Sequence, residues 1–438
     1  MQWMWTRPLI FGLALTMVSG CSSDGDLVSS DPPATIEVTV AGVSYVLDGL
    51  FAPYLEQRRP AVVAEISKTP VDVLCVNQVM LEEDKQALAQ ASHEQFPFFV
   101  RIRTDSSTTP NDPRDALGNT PTPPNEPPCA TPEVQAKAAE LIECGIGHCS
   151  TSGGEDGPAS AGACLTDYCT AQFLPLLTGD YQHKRCYNCL LYTLLSHVSF
   201  AEARHTCAND AQAGFAFRGD NGQMILSKYP LSNERLWVLP STAWRQAVLS
   251  AQVSLPGGVE LDVHCAVLQG PHSSSTQPYT GLYANGQPGD DAWLAETLLE
   301  AQGVASYVQG NSPTGRAVVV GDLYVGPAYQ EEGRPILTGV GLDAFTTFDL
   351  AFRRLVAPDY PPTCTLCGDN PLIGGTSSID AWTSHVFGLG MDDVDVIRTQ
   401  RIATELAVEI SLDGSQPETT MAPVTSRFGL MSTLRIPR

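Results

Sequence analysis

From Thr35 the chain alternates apolar and polar residues in T-I-E-V-T-V, the two-residue period of a half-buried strand. Arg59-Pro60 then opens a helical segment, A-V-V-A-E-I, with proline in a first turn where its missing N–H costs nothing. V-D-V-L-C-V, residues 71–76, is a short apolar run that reads as a buried strand. L-E-E-D-K-Q-A-L-A-Q reads as a helix whose leading acids suit the helix dipole, and F-P-F-F-V-R-I-R returns to strand. A second block resumes with N-G-Q-M-I-L-S-K-Y-P-L and the strands Q-A-V-L-S-A-Q-V and V-E-L-D-V-H-C-A-V-L. A helix at D-A-W-L-A-E-T-L-L-E-A-Q-G-V-A-S-Y-V precedes the valine strand R-A-V-V-V-G-D-L-Y, and late strands lie near S-H-V-F-G-L and R-F-G-L-M-S-T-L. Two blocks of strands joined by helical crossovers predict an α+β fold, a two-sheet β-sandwich flanked by helices.

The core so predicted runs from 35 to 438 and is interrupted. Residues 104–128 are loop in composition, with T-D-S-S-T-T-P-N-D-P-R-D and P-T-P-P-N-E-P-P unable to bury a core. Residues 129–210 follow as a cysteine-rich insertion with helical stretches at E-V-Q-A-K-A-A-E-L-I and L-L-Y-T-L-L-S-H-V. Eight cysteines crowd there: Cys129, Cys144, Cys149, Cys164, Cys169, Cys186, Cys189 and Cys207. Cys186 and Cys189, with His183 and His205 nearby, can be drawn as a zinc site. The spacing fits no zinc-finger pattern well, and disulfides are favoured. Cys364 and Cys367 form an isolated C-x-x-C that reads as a local structural disulfide rather than a redox pair.

The first residues, M-Q-W-M-W-T-R followed by P-L-I-F-G-L-A-L-T-M-V, have the charge and short apolar run of an export signal. Val18-Ser19-Gly20-Cys21 resembles the bacterial lipoprotein lipobox. It implies a signal peptide over 1–20, lipidation of Cys21, and a polar tether over 21–34 that links a membrane to the core. Ser22 after that cysteine points to the outer membrane of the bacterial cell envelope. Of 13 cysteines, 12 remain once Cys21 is set aside, an even number that suits disulfides outside the cytoplasm. A net charge of −23, with 25 basic residues against 48 acidic ones, disfavours a nucleic-acid surface. A protein or cell-surface ligand of the 129–210 insertion is the partner left open. The loop N-S-P-T-G-R lacks the lysine and spacing of a phosphate-binding P-loop, and there is no G-x-S-x-G elbow.

Five segments occur in an order that resembles the endonuclease/exonuclease/phosphatase superfamily, the deoxyribonuclease I-like fold that includes sphingomyelinases. V-D-V-L-C-V-N-Q-V is similar to the strand that carries the metal-binding glutamate. N-G-Q-M-I-L-S-K-Y-P-L is similar to N-G-L-x-I-L-S-R-Y-P-L, and L-D-V-H-C to the strand that ends in a catalytic histidine. V-V-V-G-D-L-Y is similar to G-D-x-N, and T-S-R-F-G-L to the terminal S-D-H-Y-G-L. The resemblance covers about Thr35 to Val100 and Phe215 to the C-terminus.

What the resemblance implies is a divalent cation, usually Mg²⁺, on oxygen ligands, with histidine and carboxylate groups serving phosphoester hydrolysis. Most of those groups are replaced. Gln78 stands for the metal-binding glutamate, Tyr324 for the asparagine of G-D-x-N, and Ser426-Arg427 for the final Asp-His. Ser384 stands for the aspartate that orients that histidine, with Asp380 an alternative, and Ser44 for an N-terminal asparagine. His264 and Asp322 survive as the implied catalytic pair. The reading favoured is a lipoprotein with a binding or structural role and no cofactor. The alternative is a weak Mg²⁺-dependent phosphodiesterase that uses Gln78, Asp322 and Asp380 as a poorer oxygen cage.

Overall fold

The computed structural model describes residues 35–47, 54–111, 126–149, 165, 167–195, 199–270, 272–331, 336–373, 379–411 and 419–438. The expected export signal, tether, Cys21 and Cys164, and most of the 104–128 loop, lie outside the described residues.

The alternation that begins at Thr35 becomes β1 (Thr35–Leu47), and its parity decides what each side chain touches. Ile36, Val38 and Val40 point into a layer shared with a second sheet, whereas Ala41, Val43 and Tyr45 point to the opposite face. The first sheet adds β2 (Val73–Val79), β3 (Phe98–Val100), β4 (Met224–Ser227), β11 (Asp395–Ile402) and β14 (Arg427–Pro437), in the order β11-β14-β1-β2-β4-β3. The second holds β5 (Leu231–Val238), β6 (Ala247–Leu255), β7 (Val259–Ala266), β8 (Ala317–Asp322), β9 (Arg353–Arg354) and β10 (Ser384–Leu389), in the order β5-β6-β7-β8-β10-β9. Each sheet is antiparallel except for one central parallel pair, β1 with β2 and β7 with β8. A small hairpin, β12 (Leu406–Ser411) and β13 (Thr419–Pro423), stands apart from both sheets.

Three apolar layers follow. Alternate residues of both sheets meet between them, among them Val38, Val263, Val318 and Leu434. Helices α1 (Leu55–Ile66) and α2 (Glu82–Ala91) cover the outer face of the first sheet. The long helix Gly289–Gly310 and the helix Leu342–Ala351 cover the second. The predicted α+β sandwich flanked by helices is the architecture observed. The helix expected to open at Arg59-Pro60 instead starts at Leu55, so Pro60 is interior to it. The earlier turn was hidden because its buried stripe, Leu55, Arg58, Val62 and Ile66, includes an arginine. Arg58 is fully buried and donates to the carbonyls of Tyr45 and Val46 at the end of β1 and of Val424, so it ties these backbone segments together.

Cys75 on β2 and Cys265 on β7 form a disulfide across the inner layer, joining the two sheets over a sequence separation of 190. Loop-closure entropy for such a span stabilises by about 5 kcal/mol, somewhat less because other bridges shorten the effective loop. The insertion region is helical: α3 (Pro132–Cys149), α4 (Thr170–Thr178), α5 (Tyr181–Leu195) and α6 (Phe200–Asn209) share their own apolar cluster. Cys129–Cys186, Cys144–Cys169 and Cys189–Cys207 staple it. Cys186 and Cys189 are therefore spent on two different bridges, which removes the zinc drawing. Cys364–Cys367 is also a disulfide.

Candidate functional site

The site grows from a place where the two sheets meet backbone to backbone. A Cβ on Gly42 would lie 2.8 Å from Gly321 N, and one on Gly321 would run into the Ala266 carbonyl oxygen. Only glycine allows β1, β7 and β8 to converge so closely. Just beyond, at the same end of the sandwich, lie the ends of β2 and β8 and the starts of β10 and β14. Ser44 pairs with Asn77 on one side and Arg427 on the other, and Ser384 pairs with Asp322.

Four of the residues expected here form one connected group. Asp322 is fully buried, and its Oδ2 lies 3.4 Å from Arg427 Nη1. The Arg427 guanidinium sits 3.6 Å from the centroid of the Tyr324 ring, a close cation–π stack. The Tyr324 hydroxyl in turn accepts a 2.5 Å hydrogen bond from Gln78 Nε2. The Tyr324 N–H donates to Asp322 Oδ1 at 3.3 Å, which closes the group. Gln78 and Tyr324 both have left-handed backbones, with φ of 57° and 56°. Asparagine tolerates that region through its short polar side chain, whereas a bulky phenol there carries strain of about 1–3 kcal/mol. On its other side Tyr324 packs against Gly270, where an added Cβ would come within 2.7 Å of it.

The remaining candidates are elsewhere or otherwise engaged. Ser384 Oγ donates to the Phe428 carbonyl at 2.8 Å and so ties β10 to β14. Ser426 is buried in the turn that precedes Arg427. Ser44 Oγ is buried without a hydrogen-bond partner, while its carbonyl accepts from Thr425 Oγ1 at 2.6 Å. Asp380 accepts from the Gly368 N–H at 2.8 Å and holds that loop.

His264 is the clearest departure. On β7 its neighbours Val263 and Cys265 point into the inner layer, so His264 points outward under the long helix. Its ring nitrogens meet Ser250 Oγ at 2.7 Å and Ser312 Oγ at 3.1 Å, and its edge packs on Tyr307. Asp322 has the parity of Val318 and Val320, which point inward. The two implied catalytic survivors therefore lie on opposite faces of one sheet. Burial, with a smaller effect from the Arg235 charge, lowers the His264 pKa to about 4 and keeps the ring neutral. His385 on β10 is likewise outward, its Nε2–H donating to the Val325 carbonyl at 2.8 Å, with its pKa lowered to about 4 chiefly by burial.

His272 was not singled out in the sequence, where only its place in the loop after β7 could have marked it. It stacks on Trp244 and meets Trp293 edge-on, with Nε2 2.9 Å from Gln269 Nε2. Burial lowers its pKa to about 4, and the Arg427 charge contributes in the same direction. Behind it, Glu300 is pushed well above the usual carboxylate range by burial and by the neighbouring Glu296.

The donors at the cleft do not fit Mg²⁺. A hard dication takes about six oxygens and favours carboxylates. Here one carboxylate, Asp322, is already beside a fixed guanidinium, and Gln78 Oε1, buried without a hydrogen-bond partner, is a neutral oxygen. Among the described residues no three His, Cys, Asp or Glu side chains gather to hold a metal ion.

No family model matches this chain, and no curated protein matches it. Among solved structures it is similar to sphingomyelinase C from Streptomyces griseocarneus, at 11% identity and TM-score 0.46, covering 91% of this chain and 99% of that one. It is similar to a beta toxin from Staphylococcus aureus, at 9% identity and TM-score 0.47, covering 90% and 99%. It is also similar to an endonuclease/exonuclease/phosphatase family protein from Bacteroides thetaiotaomicron, at 9% identity and TM-score 0.45, covering 92% and 99%.

Proposed function

We propose that this chain is a binding or structural lipoprotein of the bacterial cell envelope, built on a scaffold of the phosphoesterase kind whose metal chemistry has been replaced by a fixed internal cation. One observation carries the reading: Arg427 is paired with Asp322 and stacked on Tyr324, while Tyr324 is bonded to Gln78. A guanidinium is permanently charged and planar, so it neutralises the carboxylate and fills the space a hydrated dication needs. His264 cannot serve proton transfer there, because it lies on the other face of the sheet from Asp322. Anchoring through Cys21, and recruitment of a protein or cell-surface ligand through the 129–210 insertion, belong to the same proposal.

The test is hydrolysis of bis-p-nitrophenyl phosphate by the purified chain with Mg²⁺, with Mn²⁺ and with EDTA, beside Asp322→Ala. The expected result is a rate that neither metal raises and that Asp322→Ala leaves unchanged. Metal-dependent turnover lost in Asp322→Ala would overturn the proposal in favour of a phosphodiesterase.

A further inference from the structure

The seam between the cysteine-stapled helices and the core holds a cavity of about 290 Å³, remote in composition from the Asp322–Arg427 group. Arg245 lines it, from the loop between β5 and β6, and is only 2% exposed. The guanidinium rests 3.9 Å from the centroid of the Phe215 ring. Its one hydrogen bond is long, from Nη2 to the Ser106 carbonyl at 3.4 Å, and its Nε and Nη1 are buried without any hydrogen-bond partner. Burial lowers its pKa to about 10.

A buried arginine normally sits against a carboxylate, because an isolated charge in a low-dielectric site is costly. The nearby acids make no hydrogen bond to it, although the Asp105 charge acts on it without contact. Asp105 turns its carboxylate back on its own loop, accepting from Ser107 N at 2.9 Å, Ser107 Oγ at 2.6 Å and Thr108 Oγ1 at 3.2 Å. Glu296 accepts from the hydroxyls of Thr242 and Tyr279. Asn188, which also lines the cavity and is 2% exposed, donates through Nδ2 to the Pro278 carbonyl at 2.8 Å. A carbonyl can only accept, which fixes the amide orientation and leaves Asn188 Oδ1 as a buried acceptor with no donor. Phe215, Tyr283 and the Cys189 disulfide supply apolar wall.

We propose that this cavity binds a small organic oxyanion with an apolar body and a hydroxyl donor, Arg245 recognising the anion and Asn188 the hydroxyl. Guanidinium matches both carboxylate and phosphate monoester geometry, so the two sources share one recognition chemistry. The site uses residues from both the insertion and the core, and it stands whether or not the cleft turns over phosphodiesters.

The experiment is titration calorimetry on the full chain with para-hydroxybenzoate, with para-hydroxyphenyl phosphate, and with neutral para-hydroxybenzamide. At least one anion is expected to bind at ligand concentrations up to about 10 mM, the amide is not, and Arg245→Gln should weaken the anion about tenfold or more. The preferred anion tells the carboxylate source from the phosphate source. Gly214→Trp is the second variant: Gly214 lines the cavity from an exposed position, and an added Cβ there meets nothing within 4 Å, so the backbone accepts a large side chain at the cavity wall. It too should lose the anion. Failure of both anions to bind the wild type, equal binding of the amide, or unchanged binding in a folded Arg245→Gln would overturn the proposal. Should Arg245→Gln not fold, retention of binding by Gly214→Trp would overturn it.

Discussion

Breaking the Asp322–Arg427 pair tests whether the cleft is held by a substitute cation. The separation is 3.4 Å, with the Asp322 side chain 0% exposed and Arg427 17% exposed. Coulomb attraction at that distance is ~5 kcal/mol at an effective dielectric of ~20 and ~1 kcal/mol at the value for water. Arg427 reaches solvent and Asp322 does not, so a coupling energy of about 2–3 kcal/mol is expected. Arg427→Met strands a buried carboxylate and removes the stack on Tyr324, so it should cost about 3–5 kcal/mol. Asp322→Asn leaves a guanidinium that keeps its aromatic partner and some water, and should cost about 1–2 kcal/mol. The double variant should be less destabilised than the sum by the coupling energy. Urea unfolding of the four proteins with disulfides intact measures it. Additive single effects, with coupling below about 0.5 kcal/mol, would refute the claim that Arg427 neutralises Asp322.

Two other outcomes are expected. His264 has a folded-state pKa lowered from 6.5 to about 4, so its neutral burial contributes stability above pH 6.5 that is lost as pH falls toward 4. Wild-type stability should therefore fall by about 2 kcal/mol more than that of His264→Asn between pH 7 and pH 5, and equal losses in unfolding titrations would contradict the buried neutral ring. Cys21→Ser should move the protein from the detergent phase to the aqueous phase when expressing cells are fractionated in Triton X-114; an unchanged partition would remove the lipid anchor.

The sheets were legible because period-two alternation is a direct consequence of half-burial, and T-I-E-V-T-V and the valines of β8 show it without competition. Exposed or mixed strands were not. The middle of β5 is S-N-E-R, exposed throughout, and β11 carries arginines on an edge, so neither has an apolar period to read. The disulfide between Cys75 and Cys265 was invisible for a different reason. Each cysteine sits in an apolar run where it passes for a small hydrophobe, and nothing local says that its partner is on the facing sheet.

The cleft shows why a position-by-position reading of a site falls short of its chemistry. L-D-V-H-C placed a histidine on the right strand, but a shift of one residue along a strand turns a side chain to the other face, and His264 took the outward one. The replacements at Gln78, Tyr324 and Arg427 each read, taken singly, as the loss of a ligand or a base. Their spatial relation changes the sign of that reading. The amide donates to the phenol, the phenol's ring carries the guanidinium, and the guanidinium neutralises the one carboxylate left. Without Arg427, Asp322 would be buried without a cation, a state that costs several kcal/mol. That cost is avoided here by a residue from β14, more than 100 positions away in the chain, and the left-handed backbones of Gln78 and Tyr324 are held in place by the same contacts. On the proposed reading the cleft is organised around a resident cation, and a single added carboxylate, Gln78→Glu, is predicted not to create a Mg²⁺ site while Arg427 remains.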